Sequence, residues 1–302
     1  MFSTFAVLLA TAAAAQAASS SASAAAASST ANPYIPTGIS DACSTYLEGL
    51  NTDKDLATCT SSIRSATAGF APGGNLTNAS KQQVTDTLST ICASSFTASC
   101  PQNLITGKLA SFQTACSAEL VTAPNTQVKV IYDTFYTLLP FLSALCTKDN
   151  NGAWCVPQAN STASSALAPN VATTLGRRGD TTAYLPNADT LGKNNVLFLL
   201  LQGTLSKDQL CTDCTAAVLK AYMLFEASTN YAPGLAQSPL LYGQPALYGA
   251  VIDANMCGAD FLKSEVKAAG SLGQGSSGAL PAVRAGGVLA LLAAGAGAFL
   301  LL

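Results

Sequence analysis

Apolar positions recur at intervals of three and four along most of this chain, and residues that start helices stand just ahead of them. Ser40 precedes Cys43, Tyr46 or Leu47, and Leu50. Thr52, with Asp55 three residues on, precedes Leu56, Cys59 and Ile63. Ser80 and Gln83 make the capping-box pattern before Val84, Leu88 and Ile91. Pro101 suits a first helical turn, and Leu104, Leu109, Phe112, Cys116 and Leu120 follow it. The longest stripe runs through Val128, Ile131, Phe135, Leu138, Leu142 and Leu145; Pro140 within it should kink the helix or end its first segment. Ser206 and Gln209 open a helix carrying Cys211, Cys214, Val218, Tyr222 and Phe225. Pro245 opens another, with Leu247, Val251 and Ala254 facing inward and Gly258 placed to cap it. Strict alternation is scarce, so the pattern predicts an all-α domain over residues 32–268.

One stretch interrupts the pattern. Residues 157–195 hold turn-forming residues and no sustained period, which predicts a long exposed loop joining two helical lobes. The loop carries the dibasic pair Arg177-Arg178, a candidate for proteolytic cleavage. After it, "VLFLLLQGTL" reads as buried, and its periodicity does not separate strand from helix.

Both ends differ from the middle. An apolar run from Phe5 to Ala15, followed by Ala15-Gln16-Ala17, reads as a signal peptide over residues 1–17, cleaved after Ala17. Residues 18–31 form a Ser/Ala-rich low-complexity stalk. Ala285 to Leu302 contains no polar side chain, yet it falls short of the roughly 20 residues a permanent span needs. No basic residue follows to mark a cytoplasmic side. Small residues Gly275 to Gly278 precede it across a short spacer, the order of a glycosylphosphatidylinositol (GPI) signal. Ser276 is the expected attachment residue, with Gly275 and Ser277 as alternatives. Residues 269–287 form the spacer with the attachment region, and residues 288–302 form the tail that is removed.

Composition fits an exterior location. Charged residues make up 10% of the chain and the net charge is −2, against about 25% charged residues in an ordinary soluble domain. Three N-glycosylation sequons occur, at Asn75, Asn78 and Asn160. The ten cysteines, Cys43, Cys59, Cys92, Cys100, Cys116, Cys146, Cys155, Cys211, Cys214 and Cys257, read as a disulfide framework. Cys146 and Cys155 bracket the Asn151-Gly152 turn, so a local Cys146–Cys155 bridge is expected. Seven cysteines precede Arg177 and three follow Arg178, so complete pairing requires at least one bridge across the loop. The CTDC step from Cys211 to Cys214 lacks the βαβ context of a redox motif and reads as two structural staples.

Chemistry is excluded more readily than assigned. The chain has no histidine, which removes Ser-His-Asp and Cys-His catalysis and leaves a thiolate metal site without a second CxxC. No nucleophile elbow, phosphate loop or dinucleotide turn appears, and no basic cluster suits nucleic acid. No catalytic residue, metal ligand or cofactor is assigned. A carboxylate-pair glycosidase needs only Asp and Glu, but the acids are scattered, as at Asp53, Asp149 and Asp208.

The cysteine order, "ALCTKDNNGAWC", the CxxC step and "PLLYGQPAL" together resemble a family of fungal secreted, often GPI-anchored, cysteine-rich proteins, catalogued only as a domain of unknown function. The likeness spans roughly residues 32–265. It implies a fungal cell-surface or wall location and carries no catalytic residue across. The expectation is a non-enzymatic GPI-anchored surface glycoprotein with a structural, adhesive or interaction role. Its expected partners are wall polysaccharide or a surface protein, and the membrane through its lipid. Two alternatives stand beside it. One is a helical carrier or sensor of an apolar small ligand, lined by Ile131, Phe135, Leu138, Phe141 and "VLFLLL". The other is a carboxylate-dependent wall-glycan hydrolase.

Overall fold

The structure, a computed structural model, describes residues 32–70, 80–93, 98–156, 172–178, 181–258 and 260–263. The signal peptide with its Ala17 cleavage point, the stalk, Asn75, Asn78 and Asn160 lie outside the described residues, as do Gly275, Ser276, Ser277 and the tail.

The domain is helical, pinned by five disulfides, and the helix starts follow their caps. Helix α1 (Asp41–Asn51) begins where Ser40 accepts from the Cys43 N–H. In α2 (Lys54–Thr67) the cap is Asp53, accepting from Leu56. Ser80 and Gln83 close a complete capping box on α3 (Lys81–Ile91). Pro101 immediately precedes α4 (Gln102–Ala115), which a π-helical turn, Ala118–Thr122, separates from α5 (Thr126–Leu145). Asn125 caps α5, and the helix continues through Pro140 rather than ending there.

Helix α5 organises the domain. It is long and apolar enough to cross a membrane, but protein encloses most of its 20 residues. Its main neighbours are α8 (Asp213–Ser228) and α4. Sequence on both sides of the connecting segment thus meets in a single core. Aromatic rings run through it. Phe112 of α4 has Tyr46, Tyr132 and Phe135 at centroid distances of 5.4, 5.3 and 6.3 Å. Tyr136 meets Phe225 at 5.2 Å and Tyr231 at 5.0 Å.

The connecting segment corrects the expectation of a loop over 157–195. Strands β1 (Ala172–Arg178) and β2 (Thr181–Pro186) pair antiparallel, Arg178 opposite Thr181, with an irregularity between Thr174 and Gly176. Gly179 and Asp180, between the two strands in sequence, lie outside the described residues. The hairpin packs β2 on α5 and buries Ala183. Asn187 then caps α6 (Ala188–Lys193), whose Leu191 is fully buried. Residues 157–171 lie outside the described residues.

"VLFLLL" is neither a strand nor a long helix. Val196–Phe198 is one 3₁₀ turn, bounded by Asn195 at φ 50° and Leu199 at φ 54°, with Leu200 at φ 65°. Left-handed backbone is unfavourable for leucine, and buried Asn195 holds it in place. Its carbonyl accepts from the Phe198 and Leu200 N–H groups, both at 2.9 Å, and its Nδ2 donates to the Leu201 carbonyl at 2.7 Å. Farther on, α7 (Lys207–Leu210) carries the Ser206–Gln209 capping box, and α9 (Gln244–Ile252) starts with Pro245 in its first turn. Helix α9 ends at Ile252, so Gly258, at φ 87°, turns the chain beyond the helix rather than capping it.

Two glycines make this packing fit. A methyl group on Gly243 would run into the Asn195 side chain, and one on Gly192 would overlap the Pro239 carbonyl oxygen. Backbone yields less readily than a side-chain tip, so Gly192→Ala should destabilise the domain by about 2 kcal/mol. A lowered denaturation midpoint at unchanged slope is the expected measurement.

Candidate functional site

All ten cysteines are paired: Cys43–Cys116, Cys59–Cys100, Cys92–Cys146, Cys155–Cys214 and Cys211–Cys257. The expected local Cys146–Cys155 bridge is therefore corrected. The turn it was to close exists, but main-chain bonds close it instead. Cys155 N–H donates to the Thr147 carbonyl at 3.1 Å, and Asp149 Oδ1 accepts from the N–H groups of Asn151 and Ala153. Lys148 lies over the Trp154 ring at 4.1 Å. Cys146, at the end of α5, is left to tie α3. Cys155 ties the start of α8. Cys211 and Cys214 serve as separate staples with different partners, and Cys155–Cys214 is the bridge that spans the connecting segment.

Close to the first bridge, Glu119 in the π-helical turn takes the Ser40 N–H at 2.6 Å on Oε1. Burial alone would raise its carboxyl, but hydrogen bonds led by the Ser40 main chain outweigh it and lower the pKa. Cys43 and Cys116 lie within ligand distance of Glu119, but their sulfurs are bonded to each other, so the group offers no thiolates to a metal.

The densest polar constellation is buried on α5. Asp133 has no exposed surface. Its Oδ1 accepts from the Tyr231 hydroxyl, and Oδ2 accepts from the Ser238 hydroxyl at 2.7 Å and the Leu240 N–H at 2.9 Å. Nearby, the Tyr136 hydroxyl donates to the Thr229 carbonyl at 2.8 Å. Burial pushes the Asp133 carboxyl up to about 7, against the pull of these donors and of Lys129 one turn earlier. The same carboxylate raises Tyr231 in turn, although burial contributes more.

A second acid sits on α8. Glu226 is partly exposed by residue surface, while its carboxyl group is enclosed and accepts from Gln244 Nε2 at 2.6 Å. Burial pushes it to about 7 as well. Tyr136 lies within electrostatic reach of both acids. Tyr222 on the same helix donates to the Leu197 carbonyl at 2.9 Å, linking α8 to the strained 3₁₀ turn.

None of these groups belonged to the expected site. Lys129, Asp133 and Thr137 follow one another at helical spacing, so they share one face of α5. The segment after α8 covers that face and turns it inward. The signal in the sequence is the "STNYAPGLAQSPLL" stretch itself, whose buried Tyr231, Leu240 and Leu241 have to pack somewhere.

This arrangement positions backbone. A glycan hydrolase needs its carboxyls flanking a sugar, whereas Asp133 is closed in by protein donors. Phe141 and Leu138, expected to line an apolar ligand site, pack in the core, and Ile131 and Phe135 lie against it. An open groove of about 440 Å³ is lined by Ser61, Ser62, Ser65, Ala66 and Thr90. The chain matches no family model, no curated protein and no solved structure.

Proposed function

We propose that this chain is a non-enzymatic surface protein of a fungal cell, secreted and GPI-anchored to the plasma membrane or passed on to the wall. In that setting its disulfide-pinned domain serves structure, adhesion or interaction. The five bridges are compatible with an extracellular protein. The observation that carries the non-enzymatic part is the placement of Asp133 and Glu226. Both carboxyls have the raised pKa that acid–base catalysis requires, yet both are committed to tying protein segments together. Anchoring rests on the small residues Gly275 to Gly278 followed by the apolar run from Ala285. Bare carriage of an apolar ligand accounts for neither the anchor pattern nor the stalk.

Expressed in a fungal host, the full chain should remain with membrane or wall and be released by a phosphatidylinositol-specific phospholipase or by wall-degrading enzymes. Truncation before Gly286 should send the protein to the medium. Identical partitioning of the two forms would refute the anchor. Hydrolysis of isolated wall polysaccharide by the purified truncated form would refute the non-enzymatic reading.

A further inference from the structure

We propose that Arg177-Arg178 is a processing site, at which an endoprotease that takes paired basic residues hydrolyses the bond after Arg178 and leaves a mature protein of two chains. It is the sole adjacent pair of basic residues in the 302-residue sequence. Both side chains are exposed, at the last two positions of β1. Meeting such an enzyme requires the secretion proposed above, and to that extent this reading rests on it.

An endoprotease takes its substrate as an extended strand, with successive side chains on opposite sides. Strand β1 already has that shape. Gly176, Arg177 and Arg178 pair in regular register with Ala183, Thr182 and Thr181, so the two guanidinium groups project to opposite faces. Each can then enter an acidic subsite of its own. Among the described residues the sheet has two strands, so β1 is paired along one edge, and a strand of the enzyme can add along the other. The body of the ribbon is held from two sides. Strand β2 packs on α5, and the Pro33 carbonyl oxygen lies so close to Gly176 that a Cβ there would stand 2.8 Å from it. Exposing the bond after Arg178 needs the Arg178–Thr181 pair to part, and the last pair of a two-stranded ribbon opens at small cost. By contrast, Arg64, Lys108, Lys129 and Lys220 lie within helices, where the backbone is not extended.

The hydrolysis consumes one water. It breaks the amide between Arg178 and Gly179, leaving a carboxylate on Arg178 and an ammonium group on Gly179. The first chain keeps α1 to α5 with three bridges, the second keeps α6 to α9 with one, and Cys155–Cys214 joins them. Packing of α5 on α8 holds both chains in one core, so the cut changes the covalent structure and leaves the fold in place.

The test treats the folded, fully oxidised protein with a purified endoprotease specific for paired basic residues, then reduces the products for mass spectrometry. A single cut after Arg178 is expected, with helical circular dichroism retained. Arg177→Ala and Arg178→Ala should each be cut roughly tenfold to a hundredfold more slowly, the worth of one charged hydrogen-bonded contact to the enzyme. A folded protein left whole, under conditions that cut its reduced and unfolded form, would overturn the proposal. So would a first cut elsewhere in the chain. Protein recovered from the surface or medium of a fungal host should in turn yield a second N-terminus at Gly179. Recovery there of a chain intact across Arg178 overturns the processing. A chain retained inside the host refutes secretion instead, and the purified enzyme then decides alone.

Discussion

Asp133→Ala should lower folding stability by about 4 kcal/mol at pH 5, a large share of what a domain of this kind possesses. The substitution removes one carboxyl group and strands three buried donors: the Tyr231 hydroxyl, the Ser238 hydroxyl and the Leu240 N–H. Each unsatisfied buried donor costs about 1–3 kcal/mol, partly relieved where water enters the space left behind. Asp133→Asn keeps an acceptor and a shape close to the original, so about 1 kcal/mol is expected there. Denaturant melts at pH 5 with the disulfides intact separate the two. The gap between Asp133→Ala and wild type should narrow at pH 7.5, because the wild-type protein then carries the buried charge that the alanine lacks. A loss below about 1 kcal/mol for Asp133→Ala would show that the 229–241 segment is held by its apolar contacts alone.

Cutting the hairpin should leave the molecule in one piece until it is reduced. Arg177 and Arg178 stand exposed at the end of β1, and the bond after Arg178 lies within the loop closed by Cys155 and Cys214, 59 residues apart in sequence. The three bridges before it stay on the N-terminal side, and Cys211–Cys257 stays on the C-terminal side. Cys155–Cys214 is therefore the sole covalent link between the two parts. With a site-specific protease sequence placed between Arg178 and Thr181, the cleaved protein should run as one band without reductant and as two with it. Changing Cys155 and Cys214 to serine should give two bands in both conditions. Two bands from the cleaved, fully oxidised parent would contradict the connectivity. In the chain-entropy model a bridge closing a loop of this size contributes about 4 kcal/mol, so the double variant should also melt earlier.

Much of the fold was legible in the chain. Ser40, Ser80 with Gln83, and Ser206 with Gln209 act as helix starts because a cap involves groups three residues apart, whose geometry is fixed locally. The apolar stripes on α2, α3 and α5 reach the core for the same reason. Cysteine parity also required a bridge across the connecting segment, since an odd count cannot pair within one side. The hairpin was not legible: residues 157–195 hold turn-forming residues and no sustained period, which reads as a loop, and only the pairing of Ala172–Arg178 with Thr181–Pro186 shows the strands.

What only the tertiary structure decided is which distant groups meet. Cys146 and Cys155 are near neighbours in sequence, yet main-chain bonds close their turn and each sulfur faces a different helix. Spacing restricts which sulfurs can meet; packing chooses among them. Asp133 and Lys129 are polar positions within the mostly apolar α5, and residues 229–241 fold over them to make a buried acid and its nearby cation. Local sequence determines how a helix starts and which of its faces is apolar, because those depend on neighbours within a turn. Whether the opposite face meets water or another segment depends on residues about a hundred positions away, as Ser238 and Leu240 are from Asp133, and no local period records that.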